Sequence, residues 1–231
     1  MRTVAEPARC ARPATTLIVM LPGAYTAPEQ FEYEGFVAEV RREGIAADIL
    51  LVDAHVGYFE NRTIVQRLAE DVLLPARARY ARVWLVGISN GGAAAILTTE
   101  RLPQVADGIV LLAPYLGGRQ IAQQIRSSGG LKQWEPPTPF DPGNGDQVMW
   151  RWLKQQVADT GAAPPSAKPQ LYLGYGVSDL YVFNHRTLAA AMPPSHVVDV
   201  GGIHDWATWR SLWERILPGL PLERDASCTK G

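Results

Sequence analysis

Residues 82–93 read Arg-Val-Trp-Leu-Val-Gly-Ile-Ser-Asn-Gly-Gly-Ala, an apolar stretch that runs into a Gly-x-Ser-x-Gly turn and then into alanines. This pattern predicts a strand that turns sharply into a helix and holds Ser89 clear of the backbone, an arrangement called a nucleophile elbow. Gly87 and Gly91 fit it because a side chain at either position would collide with the element packed alongside. The five-residue string also occurs by chance, so the flanking strand and helix carry the interpretation. A plain turn between two buried elements is the alternative.

Short apolar runs alternate with helical patterns on both sides of this turn. The runs are rich in Val, Ile and Leu and lack the alternation of a half-exposed sheet, which predicts strands buried on both faces. We expect about six strands, over 16–21, 48–52, 83–88, 108–113, 170–175 and 196–200. We expect helices over 28–42, 63–80, 92–101, 146–159, 184–191 and 206–217. The predicted fold class is therefore α/β, a mainly parallel sheet with helices on both faces.

One segment, 115–168, departs from this rhythm. It is rich in Gly and Pro and contains one clear helical pattern, around 147–157. Long segments of this kind on a rigid scaffold usually form binding loops or lids, and a poorly ordered surface excursion is the alternative. We predict a single domain over 1–231 in which 115–168 is a lid-like insertion.

Composition excludes several classes of partner. The chain has 231 residues, 47% of them apolar, enough for a sizeable core. Its formal net charge of −1 offers no excess of cations for a nucleic acid backbone or an anionic membrane surface. The apolar run 17–21 is far shorter than a membrane span and lies too far in for a signal peptide, so we expect a cytoplasmic protein without a transmembrane segment.

The two cysteines, Cys10 and Cys228, lie in the tails, outside every predicted element. Their separation rules out a Cys-x-x-Cys redox pair. We expect free thiols in a cytoplasmic protein, and a bridge between the tails only in an oxidising compartment.

A serine hydroxyl is a poor nucleophile unless a base takes its proton, and an imidazole serves best when a carboxylate orients it. His204 follows the strand over 196–200 through a Gly-Gly turn, which suits a loop that reaches back to Ser89. Asp179 ends the turn after the strand over 170–175. Asp205 is adjacent to His204 and would diverge from it, and Asp199 lies within a strand. We predict Ser89 as nucleophile, His204 as base and Asp179 as acid.

The same chemistry needs donors for the oxyanion of the tetrahedral intermediate, each worth about 3 to 4 kcal/mol of barrier. We expect one from the backbone N–H of Asn90, directly after the nucleophile at the helix start. The other is expected from Ala24, in the loop after the first predicted strand.

Residues that could line a substrate pocket are the aromatic side chains near the site and within the insertion. Tyr25 lies beside the oxyanion loop, and Tyr115 follows the strand over 108–113. Trp134 and Trp150 of the insertion offer large apolar surfaces, with ordinary packing as the alternative role.

Taken together, these stretches resemble the α/β-hydrolase fold family of serine esterases, lipases and thioesterases, over residues 17–217. The run 201–206 resembles the Gly-His-Asp-Trp ending of esterase D and enterochelin-esterase relatives, with Ile203 interrupting the Gly-His pair. The chain departs from the family in having Pro22-Gly23 where members often have His-Gly. Its start also looks too short for the usual opening pair of strands.

The resemblance and the residues imply the same activity. We expect a serine hydrolase that cleaves a small-molecule carboxylic ester or thioester through an acyl-enzyme, without a metal or organic cofactor. The alternatives are an acyltransferase on the same fold and a catalytically silent module that binds a ligand or partner.

Overall fold

A seven-stranded sheet forms the centre of the protein, in a computed structural model that describes residues 1–158 and 168–228. The strands lie in the order β1-β3-β2-β4-β5-β6-β7. All neighbours pair in parallel except β1, which is antiparallel to β3. The strands are β1 (Thr3–Glu6), β2 (Thr16–Leu21), β3 (Ala47–Val52), β4 (Arg82–Ile88), β5 (Gly108–Leu112), β6 (Gln170–Gly176) and β7 (Val197–Val200). The expected mainly parallel α/β architecture is confirmed.

The expected number of strands was one too few, because β1 was missed. Its four residues alternate between exposed and half-buried positions, so no apolar run marks it. β1 lies at the edge of the sheet, where a strand needs only one neighbour for its backbone hydrogen bonds. A search for apolar runs finds strands that are buried on both faces, so it does not detect an edge strand of this kind.

Helices cover both faces of the sheet, and each face has its own apolar core. Along β4, Leu85 packs in one core, whereas Trp84 and Val86 pack in the other. The described helices are α1 (Gln30–Tyr33), α2 (Phe36–Arg42), α3 (Val56–Glu60), α4 (Ile64–Leu68), α5 (Leu74–Arg79), α6 (Asn90–Arg101), α7 (Arg119–Ser127), α8 (Gly145–Val157), α9 (Val182–Ala189) and α10 (Trp206–Ile216). None of the helices in these described parts has the length and apolar content needed to cross a bilayer.

Two of the predicted helices are interrupted. The helix expected over 28–42 is two helices, α1 and α2, because Gly35 takes a left-handed conformation with φ of 83°. The helix expected over 63–80 contains a π-helical segment, Ala69–Leu73, between α4 and α5. Pro75, the second residue of α5, has no N–H for the regular helical ladder.

Within the predicted insertion, several apolar side chains, among them Ile121, Trp134 and Trp150, pack into one of the two cores. The segment contains α7, which we did not predict, as well as α8. α8 packs against α6, and Arg151 forms an ion pair with Glu100 across this contact at 2.8 Å. Residues 159–167, which complete the predicted insertion and include the expected end of the helix over 146–159, lie outside the described residues.

The two tails meet in a disulfide, which overturns the expectation of free thiols. The Sγ atoms of Cys10 and Cys228 are 2.00 Å apart and form a disulfide. Next to it, the Ala11 N–H donates to Ser227 Oγ at 3.0 Å. The residues are 218 positions apart in sequence, so only the folding of both tails onto the same region reveals the pairing.

Because β2 and β4–β7 are parallel, their carboxyl ends share one edge of the sheet. Ligand sites of open α/β sheets lie outside this edge. The loops after these strands carry the residues singled out from the sequence.

Candidate active site

Ser89 occupies the sharp turn between β4 and α6, with φ of 50° and ψ of −116°. Such a conformation is costly for a residue with a side chain and is typical of functional turns. The neighbouring glycines are required by close packing. A Cβ on Gly91 would lie 2.1 Å from the Leu21 carbonyl oxygen, and one on Gly87 would lie 2.6 Å from Gly91. The elbow therefore forms as the sequence predicts, and it presents Ser89 at the edge of the sheet.

His204 reaches Ser89 from the loop after β7. Its Nε2 lies 3.0 Å from Ser89 Oγ. The Gly-Gly turn before it is held closely: a Cβ on Gly202 would lie 2.2 Å from Thr208 Oγ1. The Gly202 carbonyl also accepts a hydrogen bond from Ser178 N–H at 3.0 Å, which joins this loop to the loop after β6.

Asp179 lies behind His204, buried at 2% exposure. Its Oδ2 is 2.7 Å from His204 Nδ1, and its Oδ1 accepts a hydrogen bond from Tyr181 N–H at 2.8 Å. Burial raises the pKa of the Asp179 carboxyl, but hydrogen bonds from His204 and the Tyr181 amide together outweigh it, so the pKa lies below the usual range. Because the carboxylate only accepts, it fixes the proton of His204 on Nδ1 and leaves Nε2 free to accept from Ser89.

The competing carboxylates have other positions. Asp205 turns away from the site and caps α10, where its Oδ1 accepts a hydrogen bond from Thr208 N–H at 2.9 Å. Asp199 is exposed on β7. Of the three aspartates considered, Asp179 is the one that the structure brings to His204.

Two aromatic side chains that we did not assign to the site bracket the imidazole of His204. The Tyr181 ring is 5.2 Å from it at an interplanar angle of 85°, and the Trp209 ring is 5.1 Å away at 86°. These edge-to-face contacts hinder rotation of the imidazole out of line with Ser89. Trp209 lies on the buried, apolar face of α10. Its helical spacing in the sequence indicates burial but does not show that Trp209 also contacts His204.

His185, another histidine that follows Ser89 in the sequence, lies fully buried on α9. Its Nε2 lies 2.9 Å from the carbonyl oxygen of Pro114, and its Nδ1 has no hydrogen-bond partner in the described structure. Burial lowers its pKa from 6.5 to about 4. The imidazole is therefore neutral and donates from Nε2.

The two predicted oxyanion donors lie beside Ser89. Asn90 is the first residue of α6, where backbone N–H groups have no acceptor within the helix. Ala24 follows Gly23, whose added Cβ would lie 3.4 Å from Ser89 Cβ, so this loop lies against the nucleophile candidate. The Ala24 carbonyl accepts a hydrogen bond from Thr26 Oγ1 at 3.1 Å, which helps to hold the loop.

The tentative pocket residues divide into two groups. Tyr25 is 87% exposed, and the ring of Tyr115 lies 5.5 Å from that of Tyr181, next to His204. Trp134 and Trp150 are buried in the core, and Trp150 Nε1 donates to the Leu116 carbonyl at 2.8 Å. Both tryptophans pack in the core, the alternative role considered for them, and neither lies on the surface of the protein.

Comparison with known proteins finds likeness in structure only. No family model matches the sequence, and no curated protein matches it. An S-formylglutathione hydrolase from Staphylococcus aureus superimposes with a TM-score of 0.60 at 14% identity, over 89% of this chain and 80% of that one. Est1E from Butyrivibrio proteoclasticus gives 0.59 at 14% identity, over 94% and 91%. A predicted CIB-like hydrolase from Thermoplasma acidophilum gives 0.55 at 14% identity, over 95% and 100%. With the parallel sheet and the serine elbow, these likenesses show that the chain has the α/β-hydrolase fold.

Proposed function

We propose that the protein is a serine hydrolase that cleaves a carboxylic ester or thioester through an acyl-enzyme. The observation that carries the proposal is the continuous hydrogen-bonded series from Ser89 Oγ to His204 at 3.0 Å and from His204 to Asp179 at 2.7 Å. The strained elbow, which holds Ser89 at the carboxyl edge of the sheet with 7% of the residue exposed, supports the same chemistry.

In the first half of the reaction, Ser89 Oγ bonds to the substrate carbonyl carbon while its proton passes to His204 Nε2. The carbonyl oxygen becomes an oxyanion, which the N–H groups of Asn90 and Ala24 hold. The carbon–oxygen or carbon–sulfur bond then breaks, and His204 returns the proton to the departing alcohol or thiol. Asp179 stabilises the imidazolium that forms between these steps.

In the second half, water repeats the sequence on the acyl-enzyme. His204 takes a proton from the attacking water, the bond between the acyl carbon and Ser89 Oγ breaks, and the proton returns to Ser89. The products are a carboxylic acid and the free serine, so each cycle consumes one ester and one water.

The test is labelling by a fluorophosphonate probe together with turnover of p-nitrophenyl esters. Ser89→Ala should abolish labelling and lower kcat/KM by about 10⁶-fold, since the nucleophile is lost. Ser128→Ala, which removes an exposed hydroxyl at the end of α7, is the matched control and should keep both activities. If neither labelling nor ester turnover depends on Ser89, the hydrolase proposal fails and the catalytically silent binding module takes its place. Transfer of the acyl group to an added alcohol in preference to water would favour the acyltransferase.

The single domain and the lid role of 115–168 stay predictions. So does the cytoplasmic location, and the Cys10–Cys228 disulfide argues against it, because disulfides persist mainly in oxidising compartments.

A further inference from the structure

Exposed apolar side chains are concentrated around the proposed catalytic residues. They belong to the loops after β2, β6 and β7, and each is within two residues of Ala24, Asp179 or His204. We call this set the apolar rim: Tyr25, 87% exposed; Leu180, 68%; Ile203, 56%; and Val177, 36%. Single exposed apolar residues are ordinary on protein surfaces, whereas a group at one site points to a binding surface.

Backbone contacts bring these loops together. The loop after β6 is joined to the loop after β7 by the hydrogen bond from Ser178 N–H to the Gly202 carbonyl, 3.0 Å. The loop after β2 lies against Ser89, as the spacing between Gly23 and Ser89 shows. The loops that carry the apolar rim therefore converge on Ser89.

These three loops and the loop after β5 are almost free of charge. Charged residues make up 19% of the chain. The loops 22–27, 113–118, 176–181 and 200–204 contain no Lys, Arg or Glu, and their one Asp is Asp179, which is buried against His204. Asp146 reaches the second of these loops from α8 and accepts a hydrogen bond from Gly118 N–H at 2.8 Å. Arg119, the next residue along the chain, lies on α7 with its guanidinium 4.4 Å from the centre of the Phe183 ring.

We propose that the apolar rim binds the hydrocarbon part of an uncharged ester, and that thioesters with anionic carriers, such as those of coenzyme A or glutathione, are poor substrates. The proposal rests on the proposed function and names its substrate class. An apolar acyl or alcohol group of several carbons is removed from water by Leu180, Ile203 and Tyr25. An anionic group finds no Lys or Arg within these loops to replace the water that it loses.

The experiment compares kcat/KM for p-nitrophenyl acetate, p-nitrophenyl hexanoate and the p-nitrophenyl monoester of adipic acid. The last two have acyl chains of six carbons and differ by a terminal carboxylate. A fully buried methylene is worth about fourfold in affinity. We therefore expect kcat/KM for the hexanoate ester to be about tenfold or more above kcat/KM for the acetate ester and for the adipate monoester.

Variants of the apolar rim test its part directly. Leu180→Ser and Ile203→Ser should each lower the ratio of hexanoate to acetate turnover by about fivefold, and Leu180→Lys should raise adipate monoester turnover relative to hexanoate. Leu74→Ser is the matched control, because Leu74 is 51% exposed but lies on α5. Circular dichroism checks that each variant is folded.

Two outcomes overturn the proposal at different levels. Ser89-dependent turnover with equal rates for hexanoate and the adipate monoester, or with ratios unchanged in the rim variants, overturns the rim and leaves the hydrolase standing. Absence of Ser89-dependent turnover of every ester overturns the proposed function and the substrate class with it.

Discussion

Replacing the buried His185 should remove a pH dependence from the stability of the protein. The side chain is fully buried, and its pKa is lowered by burial from 6.5 to about 4, against an opposing contribution from the Pro114 carbonyl. Between these two values the unfolded chain takes up a proton that the folded protein excludes. The contribution of His185 to the free energy of unfolding is therefore fully present above pH 6.5 and is lost as the pH falls toward 4.

The size of the effect follows from the pKa difference. At about 1.4 kcal/mol per pKa unit, the change from 6.5 to about 4 corresponds to about 3 kcal/mol of unfolding free energy. About 2 kcal/mol of this should be lost between pH 7 and pH 5. The lowered pKa of Asp179 acts in a different pH window, because its contribution to stability is lost as the pH falls below the ordinary aspartate pKa of 3.8.

Urea unfolding at pH 7 and pH 5 measures this loss. His185→Gln keeps an N–H donor for the Pro114 carbonyl but does not titrate, so its loss between the two pH values should be smaller than the wild-type loss by about 2 kcal/mol. His55→Asn is the control: it removes an exposed imidazole while keeping an acceptor for Gly57 N–H. This variant should lose as much unfolding free energy between pH 7 and pH 5 as the wild type does. If wild type and His185→Gln lose the same free energy between pH 7 and pH 5, the reasoning about His185 is refuted.

Three further substitutions test separate contacts. Asp179→Asn should lower kcat for ester turnover by about 10⁴-fold with the fold intact, since the imidazole loses its orienting carboxylate; a change below tenfold would remove Asp179 from the acid role. Asp205→Ala should lower the unfolding free energy by about 1 kcal/mol through loss of the α10 cap while ester turnover persists, and loss of turnover would contradict that assignment. Cys10→Ser should lower the unfolding free energy by about 2 to 5 kcal/mol, and dithiothreitol should lower the Tm of the wild type to that of the variant; an unchanged Tm in both would argue against the bridge.

Much of the fold follows from local patterns. The Val, Ile and Leu runs of the inner strands are buried on both faces, so they are visible without knowledge of their neighbours. The edge strand β1 is not, because its residues acquire their role only by pairing with β3. Gly35 and Pro75 were in the sequence, but a helical pattern of apolar residues continued across both and hid the interruptions.

The site shows the same division. Ser89 and its glycines are recognisable because the elbow is a local turn whose steric demands appear as residue types. His204 and Asp179 are suggested by their place after successive strands. The sequence alone does not decide between Asp179 and Asp205. That decision needs the folded structure, in which the loops after β6 and β7 are joined and bring Asp179 to His204.

The sequence by itself therefore determined the α/β class, the serine elbow and the loops that carry the proposed acid and base. These features depend on strand burial and turn sterics, which involve neighbours within a few residues. The tertiary structure alone decided the 3.0 Å and 2.7 Å contacts of His204, the burial of Trp134 and Trp150, and the union of Cys10 with Cys228. These features join residues tens to hundreds of positions apart, and their distances are set by strand order and helix packing, which no short stretch of sequence encodes.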